Sequence, residues 1–219
     1  EVYDPQTDGW QPLAKMTTVR AAFGLAAVGG KIYAIGGWDC GSTLASVEAY
    51  DPQLGSWALV ASMSVKRRFH ASVVLEGKIC IMGGDGDVGG TLDTVEMYDP
   101  QANGWQRVAS MPQGLTKHAA AAMGGKIYVT GGVEQGSSVS SVCVYDPQAD
   151  AWTQLASMGT SRQSHAAAVV GDKLYIFGGY GAASGGCLDT VEVYDPASDS
   201  WVQGTSLASK RECLAAVAI

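Results

Sequence analysis

The sequence predicts an all-β protein made of repeated four-stranded units, and three observations support this fold class. The tripeptide Tyr-Asp-Pro occurs five times, at intervals of 47 to 49 residues. A tryptophan follows each of these tyrosines seven residues later, and a Gly-Gly pair occupies the same place in four of the repeats. Units of roughly 40 to 50 residues with four short strands each are typical of the blades of a β-propeller.

The recurring aromatic residues are expected to pack between neighbouring blades. They are Tyr3, Tyr50, Tyr98, Tyr145 and Tyr194, followed by Trp10, Trp57, Trp105, Trp152 and Trp201. Each large aromatic side chain can bury roughly 150–250 Å² against a neighbour that presents the same site. A single blade cannot cover both of its faces, whereas stacked blades in a ring can, so we assign these residues to the scaffold.

The first half of the first complete unit contains two strands. Residues 21–28 form an apolar run of small residues that suits a crowded first strand. Gly29 and Gly30 then supply the positive φ angles that a tight hairpin requires. Residues 31–35 form the second strand, which ends at a further Gly-Gly pair and a polar loop.

The second half of the unit contains the other two strands. Residues 46–50 alternate between apolar and polar side chains, which predicts the third strand. Asp51-Pro52 ends it, because proline fixes φ and cannot donate to the ladder. Residues 57–60 form the fourth strand. No segment carries sustained i, i+3, i+4 apolar spacing, so we expect helix content near zero.

The repeat divides the chain into four complete four-stranded blades and partial blade strands at both ends. The complete blades are expected at residues 17–63, 64–111, 112–158 and 159–207. Residues 1–16 supply the third and fourth strands of a partial blade, and residues 208–219 supply a first strand over 214–219. Together these leftovers lack a second strand, so we expect the chain to be a piece of a longer propeller.

Composition and charge exclude several classes of protein. Hydrophobic residues make up 47% of the chain, which is enough for a buried core and argues against disorder. No run of eighteen apolar residues occurs, so we expect no transmembrane span and no membrane partner. The net charge of -7 argues against a nucleic-acid partner that is bound through its phosphates.

The five cysteines are scattered along the chain, and no two stand at the Cys-x-x-Cys spacing of a zinc or redox site. We therefore expect ordinary thiols, no bound metal and no cofactor. A chain without paired cysteines and without an Asn-x-Ser/Thr sequon fits a reducing compartment, which favours the cytoplasm or the nucleus.

The order of motifs within each unit resembles the kelch repeat. Tyr-Asp-Pro is followed by Trp, Leu-Ala-x-Met, Arg, His-Ala, Gly-Lys-Ile-Tyr and Gly-Gly, and residues 99–111 and 125–132 show this pattern well. In detail the chain is most similar to the propellers of kelch-like substrate adaptors, which follow BTB and BACK domains. The resemblance implies a parent propeller of six blades. The WD40 alternative lacks its Gly-His and Trp-Asp signatures here.

Polar residues that recur at one position of the repeat are also assigned to the scaffold. They are Arg20, Arg67, Arg162 and Arg211, then Glu48, Glu96 and Glu192, and finally His70, His118 and His165. The third complete blade departs from the pattern by placing Leu115 at the arginine position. Three equivalent histidines on separate blades would allow a metal in the channel, but packing and hydrogen bonding are the interpretation that we favour.

The residues that do not repeat gather in two sets of loops. One set follows the Gly-Gly pairs, at 38–43, 85–91, 133–138 and 180–187. The other set joins successive blades, at 17–21, 64–69, 112–117, 159–164 and 208–212. Because antiparallel strands separate their ends, we expect both sets on one face of the propeller, here called the loop face. Variable loops on a rigid scaffold are the usual location of binding residues.

Two aromatic residues on these loops, Trp38 and Tyr180, lie outside the repeat positions, and each directly follows Gly-Gly. Exposed aromatics can act as binding hot spots, and packing over their own loops is the alternative. In kelch-like adaptors the two loop sets grip a peptide, so the resemblance implicates the matching positions here. The candidate partner-binding residues are Trp38, Asp39, Lys66, Arg68, Asp85, Asp87, Glu134, Gln163, Tyr180 and Glu212. Their mixed charges leave the charge of the partner open.

The sequence therefore predicts a protein–protein interaction module that presents its loop face to a protein or peptide. The resemblance implies the substrate-recognition part of a cullin-RING ubiquitin ligase, joined to the cullin through flanking domains. Two alternatives remain: an actin-binding kelch protein, and a kelch-propeller enzyme similar to galactose oxidase or to sialic acid mutarotase. We recognise no catalytic set, so we expect no enzyme activity.

Overall fold

The structure, a computed structural model, describes residues 1–87 and 89–218. All regular structure within these residues is β-strand, so they contain no helix long and apolar enough to cross a membrane. The first two strands, β1 (Val2–Asp4) and β2 (Gly9–Gln11), form a two-stranded antiparallel sheet. The all-β fold class that the sequence predicts is confirmed.

Four antiparallel sheets of four strands follow, and these are the complete blades. The first consists of β3 (Gly24–Val28), β4 (Lys31–Ile35), β5 (Val47–Asp51) and β6 (Ser56–Val60). The second consists of β7 (Ala71–Leu75), β8 (Lys78–Met82), β9 (Val95–Asp99) and β10 (Gly104–Val108). Within each blade the four strands pair in chain order.

The third and fourth blades each carry an additional short hairpin after the second strand. The third consists of β11 (Ala119–Met123), β12 (Lys126–Thr130), the hairpin β13 (Val133–Glu134) and β14 (Ser137–Ser138), then β15 (Val142–Asp146) and β16 (Ala151–Leu155). The fourth consists of β17 (Ala166–Val170), β18 (Lys173–Phe177), the hairpin β19 (Tyr180–Gly181) and β20 (Gly186–Cys187), then β21 (Val191–Asp195) and β22 (Ser200–Gln203).

The hairpin between β3 and β4 has the geometry that its sequence predicts. Gly29 and Gly30 lie at φ 59° and 74°, and the strands continue in register with Val28 opposite Lys31. Two consecutive positive φ angles match the right-handed twist of the flanking strands, which makes this turn a good hairpin connection.

The first strand of the first complete blade begins later than the sequence suggests. β3 begins at Gly24 rather than at residue 21. Ala21 forms an isolated bridge with Trp38, and Ala22 lies at φ 52°, which turns the backbone out of the sheet. The third and fourth strands differ from the expected bounds by one residue, since β5 spans Val47–Asp51 and β6 begins at Ser56.

The first strand expected over 214–219 is wrong for the part that the structure describes. Residues 214–218 form no strand, and residue 219 lies outside the described residues. A strand exists through its ladder of hydrogen bonds, and no strand among the described residues pairs with this segment. The apolar composition of the segment was therefore not sufficient to predict a strand.

Blades pack face to face around a centre lined by their first strands, with β3 against β7, β7 against β11, and β11 against β17. The core between the first two blades joins Tyr33 and Ile35 to Ile79, Ile81 and Tyr98. Equivalent clusters join the second blade to the third and the third to the fourth. The core therefore lies between blades, which is why one blade alone could not bury it.

The repeated tryptophans also connect each blade to the one before it by a hydrogen bond. Trp105 donates its indole N–H to the carbonyl of Ala61 at 2.8 Å, and Trp152 donates to Ala109 at 2.8 Å. The prediction that these aromatics pack between blades is confirmed for the four complete blades. Trp10 stands on the first partial sheet and is 68% exposed.

Candidate functional site

Buried ion pairs hold the loops that join successive blades. Arg67 contacts Glu96 at 3.0 Å and donates to the carbonyl of Gly83 at 2.8 Å, so one side chain ties the loop to the third strand and to the Gly-Gly pair. The pairs Arg20–Glu48 and Arg162–Glu192 repeat this arrangement at 2.9 and 2.6 Å. These arginines belong to the scaffold and position the loop face from beneath.

Glu48 shows why the carboxylate in such a pair stays ionised. Burial alone would raise its pKa, but hydrogen bonds from the side chain and backbone of Thr17, from Arg20 and from the backbone of Thr18 outweigh burial. Together they lower the pKa of Glu48 to about 2. Glu48 therefore anchors both the start of the interblade loop, at Thr17 and Thr18, and the side chain of Arg20.

The third blade replaces the whole ion pair with apolar residues. Leu115 stands at the arginine position and is 1% exposed, and it packs in one cluster with Cys143. Cys143 faces Val129 in the register where Glu48 faces Ala34 in the first blade, so it occupies the glutamate position. Both members of the pair have changed together, so neither position holds a buried charge that lacks its partner.

The two loop sets meet on one face, as the strand directions predict. Arg68 and Asp85 exchange two backbone hydrogen bonds, at 3.1 and 2.8 Å, and Gln163 and Tyr180 exchange two at 3.0 and 2.8 Å. Trp38 exchanges the equivalent pair with Ala21, both at 2.9 Å. Each loop that follows a Gly-Gly pair is thus joined to the loop that enters the same blade.

A ring of residues with left-handed backbone surrounds the mouth of the central channel. The members share φ angles between 52° and 54°, and they are Ala22, Phe69, Lys117, Ser164 and Cys213. Each N–H after the first donates to the carbonyl of the preceding member, at 2.8 or 2.9 Å. Sequence reasoning missed this ring because its five side chains share no chemistry, and only their backbone conformation repeats.

Two cavities open on the loop face beside this ring. The axial cavity, of about 600 Å³, lies at the channel mouth and is lined by Phe69, Lys117, Gln163, Tyr180 and Glu212 among others. The side cavity, of about 580 Å³, is lined by residues of the first three blades, including Trp38, Arg68, Asp85, Asp87 and Thr116. Arg68 and Phe69 are adjacent in the chain and belong to one cavity each, so they separate the two.

Cations and aromatic rings stack along this boundary. The Arg68 guanidinium lies 5.9 Å from the centre of the Trp38 ring and 5.7 Å from that of Phe69. The Lys117 ammonium lies 5.4 Å from the same Phe69 ring. Trp38 and Phe69 are 36% and 39% exposed, so the stack reaches the surface of the loop face. Trp38 thus lies at the surface of the loop face, and its role in binding stays a prediction.

The other predicted site residues fall into different local arrangements. Lys66 pairs with Asp87 at 2.7 Å on the surface. Asp39 accepts backbone hydrogen bonds from Ser42 and Gly41, which hold the pKa of its carboxyl below the usual range. Glu134 lies in the short strand β13, and Gln163 donates to the hydroxyl of Ser138 at 3.3 Å. Asp39 therefore shapes its own turn, as a short polar turn residue often does.

The three equivalent histidines are packing elements. His118 sits between two Gly-Gly pairs: a methyl group on Gly83 would lie 2.7 Å from its Cε1, and one on Gly132 would lie 2.7 Å from its Cβ. Burial, with the charge of Arg67, lowers the pKa of His118 to about 4. Among the described residues no three His, Cys, Asp or Glu side chains form a group that could hold a metal.

The opposite face repeats itself, in contrast to the loop face. Lysines on the first hairpin of each blade pair with the aspartates of the Asp-Pro turns at 2.9 to 3.7 Å, and the pairs are Lys31–Asp51, Lys78–Asp99, Lys126–Asp146 and Lys173–Asp195. Because the same exposed pair recurs in every complete blade, these pairs provide little specificity for a binding partner. Chemical variety is therefore concentrated on the loop face.

Comparison with known proteins is consistent with this repeat geometry. A family model described as the KLHDC2/KLHL20/DRC7 kelch-repeats domain matches residues 25–213. The chain belongs to the kelch-repeat family. Among solved structures, the chain titled "Structure of YjhT" superposes with a TM-score of 0.78 at 19% sequence identity. The alignment covers 91% of this kelch chain and 69% of that chain. The search of curated proteins finds no match.

At 19% identity the structural likeness shows the shared propeller fold and nothing about activity. The family match confirms the predicted kelch repeat across the four complete blades. Kelch propellers are in general protein-interaction modules, and the loop face described above is where this chain carries its non-repeating residues.

Proposed function

We propose that the loop face binds a protein or peptide partner through the rim formed by Trp38, Arg68 and Tyr180. The observation that carries this proposal is the exposed cation–aromatic stack between two open cavities. The stack lies on the loop face, which carries the residues that do not follow the repeat. Aromatic and arginine side chains are the residue types that most often dominate interface energetics. Buried arginines beneath tie these loops to the blades, so we expect that little ordering is needed on binding.

The test compares capture of proteins from cell lysate by the wild-type chain and by two variants. The first variant combines Trp38→Ala, Arg68→Ala and Tyr180→Ala. The matched control combines Gln53→Ala, Gln101→Ala and Gln148→Ala, which are exposed on the opposite face. All three proteins are first checked for equal thermal stability. We expect a partner that wild type and control capture equally and that the loop-face variant loses; equal capture by all three would refute the assignment of this face.

We further propose that this kelch chain is the substrate-recognition part of a cullin-RING ubiquitin ligase adaptor, acting in the cytoplasm or nucleus. The resemblance to kelch-like adaptors supports this role. The expected result is that a captured partner accumulates in cells when cullin activation is blocked, and only if its contact with the loop face is intact. A partner whose abundance does not respond would argue against the ligase role, and co-sedimentation with actin filaments would favour the cytoskeletal alternative.

A further inference from the structure

The turn between β9 and β10 carries the single asparagine of the chain, Asn103, and a glycine follows it. The asparagine is exposed to solvent, and its backbone lies at φ 47°, a left-handed conformation that asparagine tolerates better than most residues. An Asn-Gly pair is especially prone to deamidation, because glycine has no Cβ to shield the backbone nitrogen that attacks the side-chain amide.

The side chain of Asn103 also joins the second blade to the first. Its Oδ1 accepts one hydrogen bond from the backbone N–H of Ala61 at 2.9 Å and one from the hydroxyl of Tyr98 at 2.8 Å. A backbone N–H can only donate, so the oxygen of the amide, and not its nitrogen, must face Ala61. Among the described residues Nδ2 has no hydrogen-bond partner, so the atom that deamidation removes holds nothing in place.

The third and fourth blades hold an aspartate where the second blade has Asn103. Asp150 Oδ1 accepts from the backbone N–H of Ala109 at 2.8 Å and from the hydroxyl of Tyr145 at 2.7 Å. Asp199 accepts the equivalent two bonds at 3.0 and 2.7 Å. These bonds hold the pKa values of both aspartates below the usual range. The two donors around Asn103 therefore form a site that holds a carboxylate in the other blades.

We propose that Asn103 is a site of spontaneous deamidation and that the turn retains the product as ordinary aspartate. Hydroxide removes the amide proton of Gly104, and the nitrogen forms a bond to Asn103 Cγ. The bond from Cγ to Nδ2 breaks, and Nδ2 takes a proton from water and leaves as ammonia. One water then opens the succinimide ring that remains. Breaking the ring at Cγ gives aspartate, and breaking it at the main-chain carbonyl carbon gives isoaspartate.

The two donors on Oδ1 favour both the attack and the aspartate product. Negative charge develops on this oxygen when the nitrogen adds to Cγ, and donors at 2.8 and 2.9 Å stabilise such charge. An aspartate carboxylate keeps both bonds, and bonds to a charged acceptor are stronger than bonds to an amide. Isoaspartate adds a methylene group to the main chain, which displaces Gly104 from its register opposite Asp99. Deamidation therefore tightens the contact between the first two blades.

The experiment incubates the folded wild-type chain at mildly alkaline pH, beside the same chain unfolded in guanidinium chloride. Intact mass measures the loss of the amide, and mass spectrometry of a digest locates it and distinguishes aspartate from isoaspartate. The matched control is Gly104→Ala, which keeps Asn103 and both donors. Alanine fits there, because the third blade has Ala151 at this position and a methyl group on Gly104 would lie 3.8 Å from the carbonyl oxygen of Ala102.

We expect folded wild type to lose the amide at Asn103 and to give mainly aspartate, whereas the unfolded chain gives mainly isoaspartate. Folded Gly104→Ala should react roughly tenfold more slowly, because its methyl group shields the attacking nitrogen. An intact amide in the folded chain after the unfolded chain has reacted would overturn the proposal. The same share of isoaspartate in both would show that the turn does not select the product.

Asn103→Asp carries the product from the start and tests whether the turn retains it. Its thermal midpoint should lie about 2–4 °C above that of wild type, because the two bonds gain a charged acceptor. Gln101→Glu is the control, since it adds the same charge to the same turn away from the two donors, and its midpoint should not rise. A midpoint of Asn103→Asp at or below that of wild type would contradict the inference and leave the proposed function of the loop face untouched.

Discussion

Leu115 and Cys143 belong to one buried cluster, at the positions where the other three complete blades bury an arginine against a glutamate. Four blades with the same fold thus use two solutions for the same interior position. An ion pair can be replaced by well-packed apolar residues without loss, provided that both charges leave together. This relationship leads to a test of how strongly the two positions depend on each other.

The single change Leu115→Arg should destabilise the chain strongly. The new cation would lie among apolar side chains, with Cys143 where the other blades have a glutamate. A buried charge without its partner lowers the free energy of unfolding by about 3–5 kcal/mol. The double change Leu115→Arg with Cys143→Glu should recover much of that loss, because it rebuilds the pair of the other blades. Urea unfolding of the wild type, the two single variants and the double variant measures the coupling; losses that simply add would contradict it.

Glu96→Gln should also destabilise the chain, by about 3–5 kcal/mol, because it leaves Arg67 buried without its counter-charge. Lys78→Gln is the control, since the Lys78–Asp99 pair is exposed and 3.7 Å long. Its urea midpoint should stay close to that of wild type. Equal midpoints for the two variants would show that the buried pair does not anchor the interblade loop.

Acid should begin to destabilise the fold at pH values where the carboxylates are still mostly ionised. Burial lowers the pKa values of His70, His118 and His165 to about 3, 4 and 3, from an ordinary value of 6.5. Below pH 6.5 the unfolded chain takes up protons that the folded chain does not, so stability falls as the pH falls towards these folded values. Each histidine contributes about 1.4 kcal/mol per pH unit in this window.

The pH dependence can be assigned to the histidines by mutation. Stability of wild type and of His118→Asn is measured by urea unfolding at several pH values between 6.5 and 5.5, above the range where Glu48 takes up protons in the folded or the unfolded chain. The slope should fall by about a third in His118→Asn, whatever the change in absolute stability. An unchanged slope would mean that His118 is charged in the folded protein.

The repeated tryptophans should contribute differently to the free energy of unfolding, depending on how deeply each one is buried. Trp105→Phe removes the hydrogen bond to Ala61 and part of the buried ring, so we expect a loss of about 1–3 kcal/mol. Trp10→Phe should have little effect in this chain, because Trp10 is 68% exposed. Thermal unfolding of the two variants measures the difference, and comparable losses would show that Trp10 is buried in solution.

Much of the scaffold could be read from the sequence because its signals are local. The two positive φ angles at Gly29 and Gly30, the proline after Asp51 and the spacing from Tyr98 to Trp105 each act within a few residues. Equivalent features recur in the other complete blades, so the strand assignment made for one blade could be applied to all four. Antiparallel pairing then predicted that both loop sets lie on one face. The backbone hydrogen bonds between Arg68 and Asp85, which join one loop of each set, agree with this prediction.

The sequence by itself determined the propeller of four complete blades, the interblade role of the aromatics and the face that carries the variable loops. Only the tertiary structure decided that Arg68 stacks between Trp38 and Phe69, that Thr116 is left without a partner beside it, and that residues 214–218 form no strand. The physical reason is that these outcomes depend on contacts between loops from different blades, or on the presence of a pairing strand. Neither of these causes produces a periodic pattern in the sequence of the loops or of residues 214–218.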